Sequence, residues 1–167
     1  MRYYPAALAL SLLFAVTASV GEAGTPEADP RAAALIAQGR AALKAGKVDD
    51  AVSAFEAALT VDPGHSAIYL DLAEAARREG MQGKAIHYYR QAQEREPGNL
   101  AAISGEGEAL LEKGAVEKAK RNLSKLESLC GDKCPETQAL SAAIAALPVP
   151  KVLTAEAVLP DAAVTQN

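Results

Sequence analysis

The chain repeats at a spacing of 34 residues. Residues 46–63, GKVDDAVSAFEAALTVDP, align with residues 80–97, GMQGKAIHYYRQAQEREP, and again with residues 114–131, GAVEKAKRNLSKLESLCG. The third copy keeps the leading glycine but replaces the closing proline by Gly131. A fixed period of roughly 20 to 50 residues is typical of a solenoid, in which each unit buries its apolar face against its neighbours. The repeat therefore restricts the fold more than any other feature.

Each unit has two apolar patterns of helical spacing, one on either side of the leading glycine. Small and large residues alternate at the equivalent positions, which are Ala51, Ala85 and Ala119, then Phe55, Tyr89 and Leu123, then Ala58, Ala92 and Leu126, and upstream of the glycine Leu35, Tyr69 and Ile103, then Gly39, Ala73 and Gly107. We expect small residues where two helices cross closely. The pattern predicts helix pairs at 31–45 and 50–61, 66–79 and 83–96, and 100–113 and 116–129. Asp49 is the expected N-cap of the second helix.

These residues resemble the tetratricopeptide repeat (TPR) family, whose 34-residue units have small residues at helix crossings, an aromatic residue in the second helix and a closing proline. The resemblance covers residues 32 to about 131. It implies an all-α, right-handed α-solenoid of about three helix-turn-helix units. Gln38 and Glu106 stand where the family usually has leucine, and Ala42 and Ala76 where it usually has tyrosine. We therefore expect a thinner core than the family average.

The amino-terminal residues 1–23 have the pattern of a secretory signal peptide. Arg2 precedes an apolar run at 6–16, and small residues lead to Ala23. The run is short for a membrane span, which needs about 20 apolar residues, although an uncleaved anchor remains an alternative. No cysteine follows the cleavage site, which disfavours a lipoprotein. We expect a periplasmic or secreted protein beginning near Gly24.

A seventh helix is predicted at 135–146, because Pro135 suits a first helical turn. Leu140, Ile144 and Leu147 would cover the open end of the third unit. The resulting organisation is a signal peptide at 1–23, a linker at 24–31, a repeat domain at 32–147 with units 32–65, 66–99 and 100–133 and a capping helix at 135–147, and a flexible tail at 148–167.

The formal net charge is −4, and removing residues 1–23 leaves it unchanged because Arg2 and Glu22 cancel. A nucleic-acid-binding surface needs a basic stripe. Here lysines and arginines are interspersed with acidic residues along the repeats, and no glycine-rich phosphate loop is present. We therefore do not expect nucleic acid as a partner.

The two cysteines, Cys130 and Cys134, flank a three-residue segment between the last repeat helix and the capping helix. Export would deliver them to an oxidising compartment, so a structural disulfide is the first interpretation. A redox-active dithiol and a metal site remain alternatives, although the βαβ setting of thioredoxin-like sites is missing. Neither His65 nor His87 has ligand spacing to the pair.

No catalytic residues are predicted. His65 and His87 are interpreted as structural or solvated, and no nucleophile–base arrangement can be assembled from so few candidates. We expect no cofactor, no metal and no enzymatic activity.

The resemblance implies that the first helix of each unit lines a groove that accepts a peptide or helix. The candidate groove residues are Ile36, Arg40, Lys44, Leu70, Glu74, Arg78, Ser104, Glu108 and Glu112. Two rows of side chains run from basic in the first unit to acidic in the third, namely Arg40, Glu74 and Glu108, and Lys44, Arg78 and Glu112. Ordinary solvated charges are the alternative. The family's clamp for a terminal carboxylate needs lysines and asparagines on these helices, so chaperone C-termini are not the expected ligands.

The first functional hypothesis is a non-enzymatic protein-interaction module, an adaptor or assembly factor in a bacterial periplasm. The alternatives are a thiol-redox accessory protein that uses Cys130 and Cys134, and a self-associating structural scaffold. The sequence leaves the partner and the oligomeric state open.

Overall fold

The computed structural model describes residues 27–148, which form seven α-helices and no strand. The helices are α1 (Pro30–Lys44), α2 (Val48–Val61), α3 (Ser66–Arg78), α4 (Gln82–Arg95), α5 (Leu100–Glu112), α6 (Val116–Cys130) and α7 (Pro135–Ala145). This all-α helical repeat confirms the fold class predicted from the sequence. None of these helices combines the length and apolarity needed to cross a membrane. The predicted signal peptide and residues 149–167 of the predicted tail lie outside the described residues.

The repeated glycines form the turn between the two helices of each unit. Gly46 has a φ of 74°, and the N–H of Lys47 donates to the carbonyl of Ala42 at 3.0 Å. The same positive φ and the same bond recur at Gly80 and Gly114. Glycine adopts this left-handed conformation without a steric penalty from a Cβ. The 34-residue period of the sequence therefore corresponds to the same turn recurring in each unit of the structure.

The predicted N-cap at Asp49 is wrong. Helix α2 begins one residue earlier, at Val48, and its N-cap is Lys47, which makes no side-chain capping bond. The reason is the preceding turn, because the backbone of Lys47 both closes that turn and starts the next helix. Asp49 and Asp50 instead lie in the first turn of α2. Their negative charges interact favourably there with the positive end of the helix dipole.

Paired helices cross where a small residue meets a large one. A Cβ added to Gly39 in α1 would lie 2.4 Å from the ring of Phe55 in α2, and Phe55 is fully buried. In the second helix of each unit, Ala51, Ala85 and Ala119 are also fully buried. The alternation of small and large residues in the sequence thus corresponds to close helix packing.

The odd-numbered helices form one side of the repeat array. Among the described residues, α1 contacts α3 and α3 contacts α5, whereas α2 does not reach α4 and α4 does not reach α6. The odd-numbered helices are therefore closer together than the even-numbered ones, which makes their side concave. We call the surface of α1, α3 and α5 on this side the inner face.

Helix α7 packs against both α5 and α6 at the carboxyl end of the array. Leu140 is fully buried there, and a Cβ added to Gly107 in α5 would lie 2.5 Å from a methyl of Leu140. Ile144 and Leu147 pack against the same core. This helix therefore covers the end that the third unit would otherwise expose.

Candidate functional site

Ion pairs connect neighbouring helices along the inner face. The Nε of Arg40 in α1 lies 2.9 and 3.0 Å from the two carboxylate oxygens of Asp71 in α3. Arg77 in α3 donates to Glu108 in α5 at 2.8 Å and also contacts Glu112. Each contact joins two consecutive units. Much of the charge on the inner face is thus paired within the chain.

Arg77 occupies a position that is apolar in the other two units. Its equivalents, Leu43 and Leu111, are 5% and 8% exposed, and the Arg77 side chain is 21% exposed. Burial by itself would lower the pKa of Arg77, but the hydrogen bond and charge of Glu112 raise it above its ordinary value. Arg77 therefore stays charged and holds two carboxylates at the junction of α3 and α5.

Asp71 shows the opposite balance between burial and pairing. Burial raises the pKa of its carboxyl group, and the hydrogen bond and charge of Arg40 lower it by less, so that the pKa stays above its usual value. The ion pair thus only partly offsets the desolvation of this carboxylate.

The first hollow on the inner face lies along α1, and we call it the amino-terminal hollow. It has a volume of about 660 Å³. Ile36 and the alanines of α1 supply its apolar surface, and Glu27, Arg40, Lys44 and His65 contribute polar groups. Three predicted groove residues, Ile36, Arg40 and Lys44, therefore meet at one site. Ile36 is only 5% exposed, so it belongs mainly to the core.

The second hollow lies between α5 and α7, and we call it the carboxy-terminal hollow. It has a volume of about 290 Å³. Leu111, Ala143 and Leu147 form its apolar part, and Arg77 lies beside them. The predicted groove residues Glu108 and Glu112 supply the acidic part of its wall. Both hollows thus contain both signs of charge, with two basic residues beside Glu27 in the first and two acidic residues beside Arg77 in the second.

The other predicted groove residues line neither hollow. Arg78 pairs with Glu74 within α3 at 2.9 Å and donates to the carbonyl of Leu43 at 2.8 Å. Leu70 is half-buried and packs against the core. Ser104 is 5% exposed, and its hydroxyl donates to the carbonyl of Glu136 at the start of α7. Because α7 covers Ser104, this residue is not an accessible part of the predicted groove.

Sequence reasoning missed Asp71, Arg77 and Leu111 on this face. A signal exists for the first two, because Arg40 and Asp71 are 31 residues apart, and so are Arg77 and Glu108. Pairs of opposite charge at that separation mark contacts between consecutive inner helices.

A disulfide bond connects Cys130 to Cys134 in the structure, with the two Cα atoms 5.9 Å apart. This separation lies in the ordinary range for disulfides. The bond joins the end of α6 to the start of α7, and the hydroxyl of Thr137 lies 2.9 Å from the sulfur of Cys134. The pair is therefore positioned to hold α7 against the third unit.

Residues 27–148 bring together no group of three or more histidine, cysteine, aspartate or glutamate side chains that could hold a metal ion. His65 contributes to the amino-terminal hollow, and His87 is exposed beside Tyr88.

Comparisons with known proteins relate this geometry to one repeat family. Two models described as tetratricopeptide repeat match residues 36–81 and 66–99. The sequence matches no curated protein.

Among solved structures, the fold is similar to the first TPR of Spaghetti (RPAP3) bound to the HSP90 peptide SRMEEVD, with 21% identity, a TM-score of 0.62, and coverage of 71% of this chain and 99% of that one. It is also similar to the type III secretion translocator chaperone SycD of Yersinia enterocolitica, with 23% identity, a TM-score of 0.63, and coverage of 70% and 89%. SycD in complex with a peptide of the translocator YopD is 26% identical, with a TM-score of 0.60 and coverage of 68% and 86%.

Proposed function

We propose that this chain, which carries tetratricopeptide repeats over residues 36–99, is a non-enzymatic interaction module that holds a peptide segment of a partner protein along its inner face. The observation that carries the proposal is the pair of hollows at the two ends of that face. Each combines an apolar floor with charged side chains, which is the composition expected of a pocket for a peptide side chain.

The spacing of the hollows sets the length of the ligand. They lie along α1 and along α5, and packed helices are about 8 to 10 Å apart. Two such steps give a span of roughly 20 Å, and an extended chain advances about 3.3 Å per residue. The ligand is therefore an extended segment with two apolar anchor residues about six positions apart.

Charge sets the orientation of the ligand. Arg40 and Lys44 favour an acidic residue beside the first anchor, and Glu108 and Glu112 favour a basic residue beside the second. Arg40, Glu108 and Glu112 already have partners within the chain. Exposed pairs contribute about 0 to 1 kcal/mol each, so these charges would affect the direction and rate of binding more than the affinity.

Peptide binding by structurally similar proteins supports the ligand class. The RPAP3 domain is bound to an HSP90 peptide and SycD to a YopD peptide. The ligand of this chain differs from a chaperone C-terminus, because Ile36, Leu70 and Ser104 provide no lysine or asparagine for a terminal carboxylate.

The place of action we propose is outside the cytoplasmic membrane, after removal of residues 1–23. The support for this is the sequence pattern of that segment. In that compartment the module would act as an adaptor or assembly factor, and the chemistry is binding alone.

The experiment fills each hollow and leaves the neighbouring surface intact. Ala37→Arg places a long side chain in the amino-terminal hollow, and Ala143→Arg places one in the carboxy-terminal hollow. The matched controls are Ala34→Arg in α1 and Ala139→Arg in α7, which are exposed and line neither hollow. Partners are captured by crosslinking in the native envelope and identified by mass spectrometry.

We expect the same partner to be captured by the parent chain and both controls, and to be lost or reduced with each variant that fills a hollow. Equal capture by all four variants would refute binding at the inner face.

A further inference from the structure

Within residues 27–148, the end of the array formed by α1 and α2 has the composition of an interface between repeat units. A shallow depression of about 600 Å³ lies there, and alanines from both helices line most of it together with Leu35. We call this surface the amino-terminal end face. It lies apart from both hollows of the inner face, with only Ala41 shared with the amino-terminal hollow.

In the second and third units, the positions equivalent to this surface are covered by the preceding unit. Leu35 is half-buried, whereas its equivalents in the second and third units, Tyr69 and Ile103, are 8% and 0% exposed. Gln38 is exposed, whereas its equivalent Leu72 is 1% exposed. The later units are covered at these positions by the preceding unit, through contacts of α2 with α3 and of α4 with α5. The amino-terminal end face has no such cover among residues 27–148.

The sequence just before α1 does not continue the repeat. Moving the register one period upstream puts Gly21 and Gly24 where Phe55 and Ala58 stand. Neither glycine supplies the side chain with which a second helix packs, so this stretch lacks the pattern of a covering helix. A second copy of the chain could supply that cover.

We propose that the amino-terminal end face is the interface of a homodimer, in which two copies meet through the same surface. Helix α7 covers the opposite end of the array, so a second copy cannot stack head to tail and extend the solenoid. Association through one surface on both copies is two-fold symmetric and closed. The inner faces of the two copies would then lie outside the dimer interface.

Charge on the amino-terminal end face is self-complementary. Lys47 and Asp50 both line the depression and both are exposed. In a two-fold pair, Lys47 of one copy faces Asp50 of the other, and the reverse contact forms at the same time. The surface is small and rich in alanine, so the dimer is expected to be weak and reversible.

The test is sedimentation of the chain, in the form isolated from cells, from micromolar to millimolar concentration. Lys47→Glu and Asp50→Lys should each weaken dimerisation by about tenfold, because two symmetric attractions become repulsions. The double variant K47E/D50K should restore it, and a mixture of the two single variants should form heterodimers. Lys120→Glu reverses an exposed charge on α6 that pairs with Glu117, and it serves as the matched control without effect. Circular dichroism checks that every variant is folded.

A chain that stays monomeric at millimolar concentration overturns the proposal. So does a dimer that the single variants do not weaken, or one that the double variant does not restore. The variants A37R and A143R should leave dimerisation unchanged. The homodimer proposal can therefore be wrong while the peptide-binding proposal holds, and the reverse.

Discussion

Arg40 and Asp71 form a two-point ion pair between α1 and α3, and they are 31 residues apart in the sequence. Arg77 and Glu108 repeat this separation between α3 and α5. This sequence separation is three residues shorter than the 34-residue period. Each arginine therefore contacts the next inner helix about one turn before its own equivalent position in that helix. The inner face is therefore joined by charge pairs that recur from one unit to the next.

The Arg77 position tests whether these pairs stabilise the array. We expect Arg77→Leu to change the free energy of unfolding by less than about 1 kcal/mol, because Leu43 and Leu111 fill the equivalent positions and ion pairs are often replaceable by apolar residues. Arg77→Glu should lower it by roughly 1 to 3 kcal/mol, because three carboxylates would then meet. Urea denaturation measures both, with Arg121→Glu on the exposed surface of α6 as control. A larger loss for the leucine variant than for the glutamate variant would contradict this explanation.

Asp71 gives a prediction for pH dependence. Its pKa is raised in the folded state above the ordinary value of 3.8, so the folded chain binds more protons than the unfolded chain between these two pKa values. Its contribution to stability is therefore present below pH 3.8 and is lost as the pH rises through the folded pKa. Asp71→Asn should remove this contribution. Thermal melts of both proteins across the acidic range should show the parent losing stability relative to the variant as pH increases, and the opposite trend would mean that Arg40 dominates.

Substitution of Gly39 tests how closely α1 and α2 pack where they cross. We expect Gly39→Ala to lower the free energy of unfolding by about 1 to 3 kcal/mol, because its Cβ would overlap the ring of buried Phe55. The second change Phe55→Leu should recover part of this loss by making room. Gly98→Ala is the control, since nothing lies within 4 Å of its added Cβ and its φ is not positive. A neutral Gly39→Ala would show that the crossing is looser than the structure indicates.

The disulfide is predicted to stabilise the end of the array. Reduction should lower the free energy of unfolding by about 2 kcal/mol, the value expected for so short a loop. Hydrogen exchange should increase mainly in α7, because the bond joins that helix to α6. The double variant C130A/C134A should show the same exchange with and without reductant. Unchanged exchange in α7 on reduction of the parent chain would show that packing of Leu140 alone holds the helix.

Sequence reasoning was strongest where residues recur with the period. Gly46, Gly80 and Gly114 predicted the turns, because each unit needs the same left-handed residue there. Phe55 and the small residues predicted the crossings. Local steric requirements of this kind repeat in every unit and can therefore be recognised in a single sequence.

Contacts that depend on the placement of whole units were not predictable in the same way. Glu106 occupies a position where leucine is usual, which predicts a thinner core. In the structure its carboxylate is almost fully buried and accepts bonds from Arg90 at 2.7 Å, Gln93 at 2.8 Å and Asn122 at 3.2 Å. The sequence predicts Ser104 in the groove, but α7 turns back over this residue. The repeat pattern contains no information about either arrangement, because partners on α4, α6 and α7 depend on how the units stack.

The proposed path of a partner peptide crosses the inner face from one hollow to the other. It is tested most directly by incorporating a photoreactive amino acid at Ala37 or Ala143 in living cells, with Ala34 and Ala139 as matched controls. We predict that the two hollow positions crosslink to the same partner, at sites about six residues apart in its sequence, and that the controls do not. Crosslinking of that partner from Ala34 and Ala139 with equal or greater yield would contradict this path.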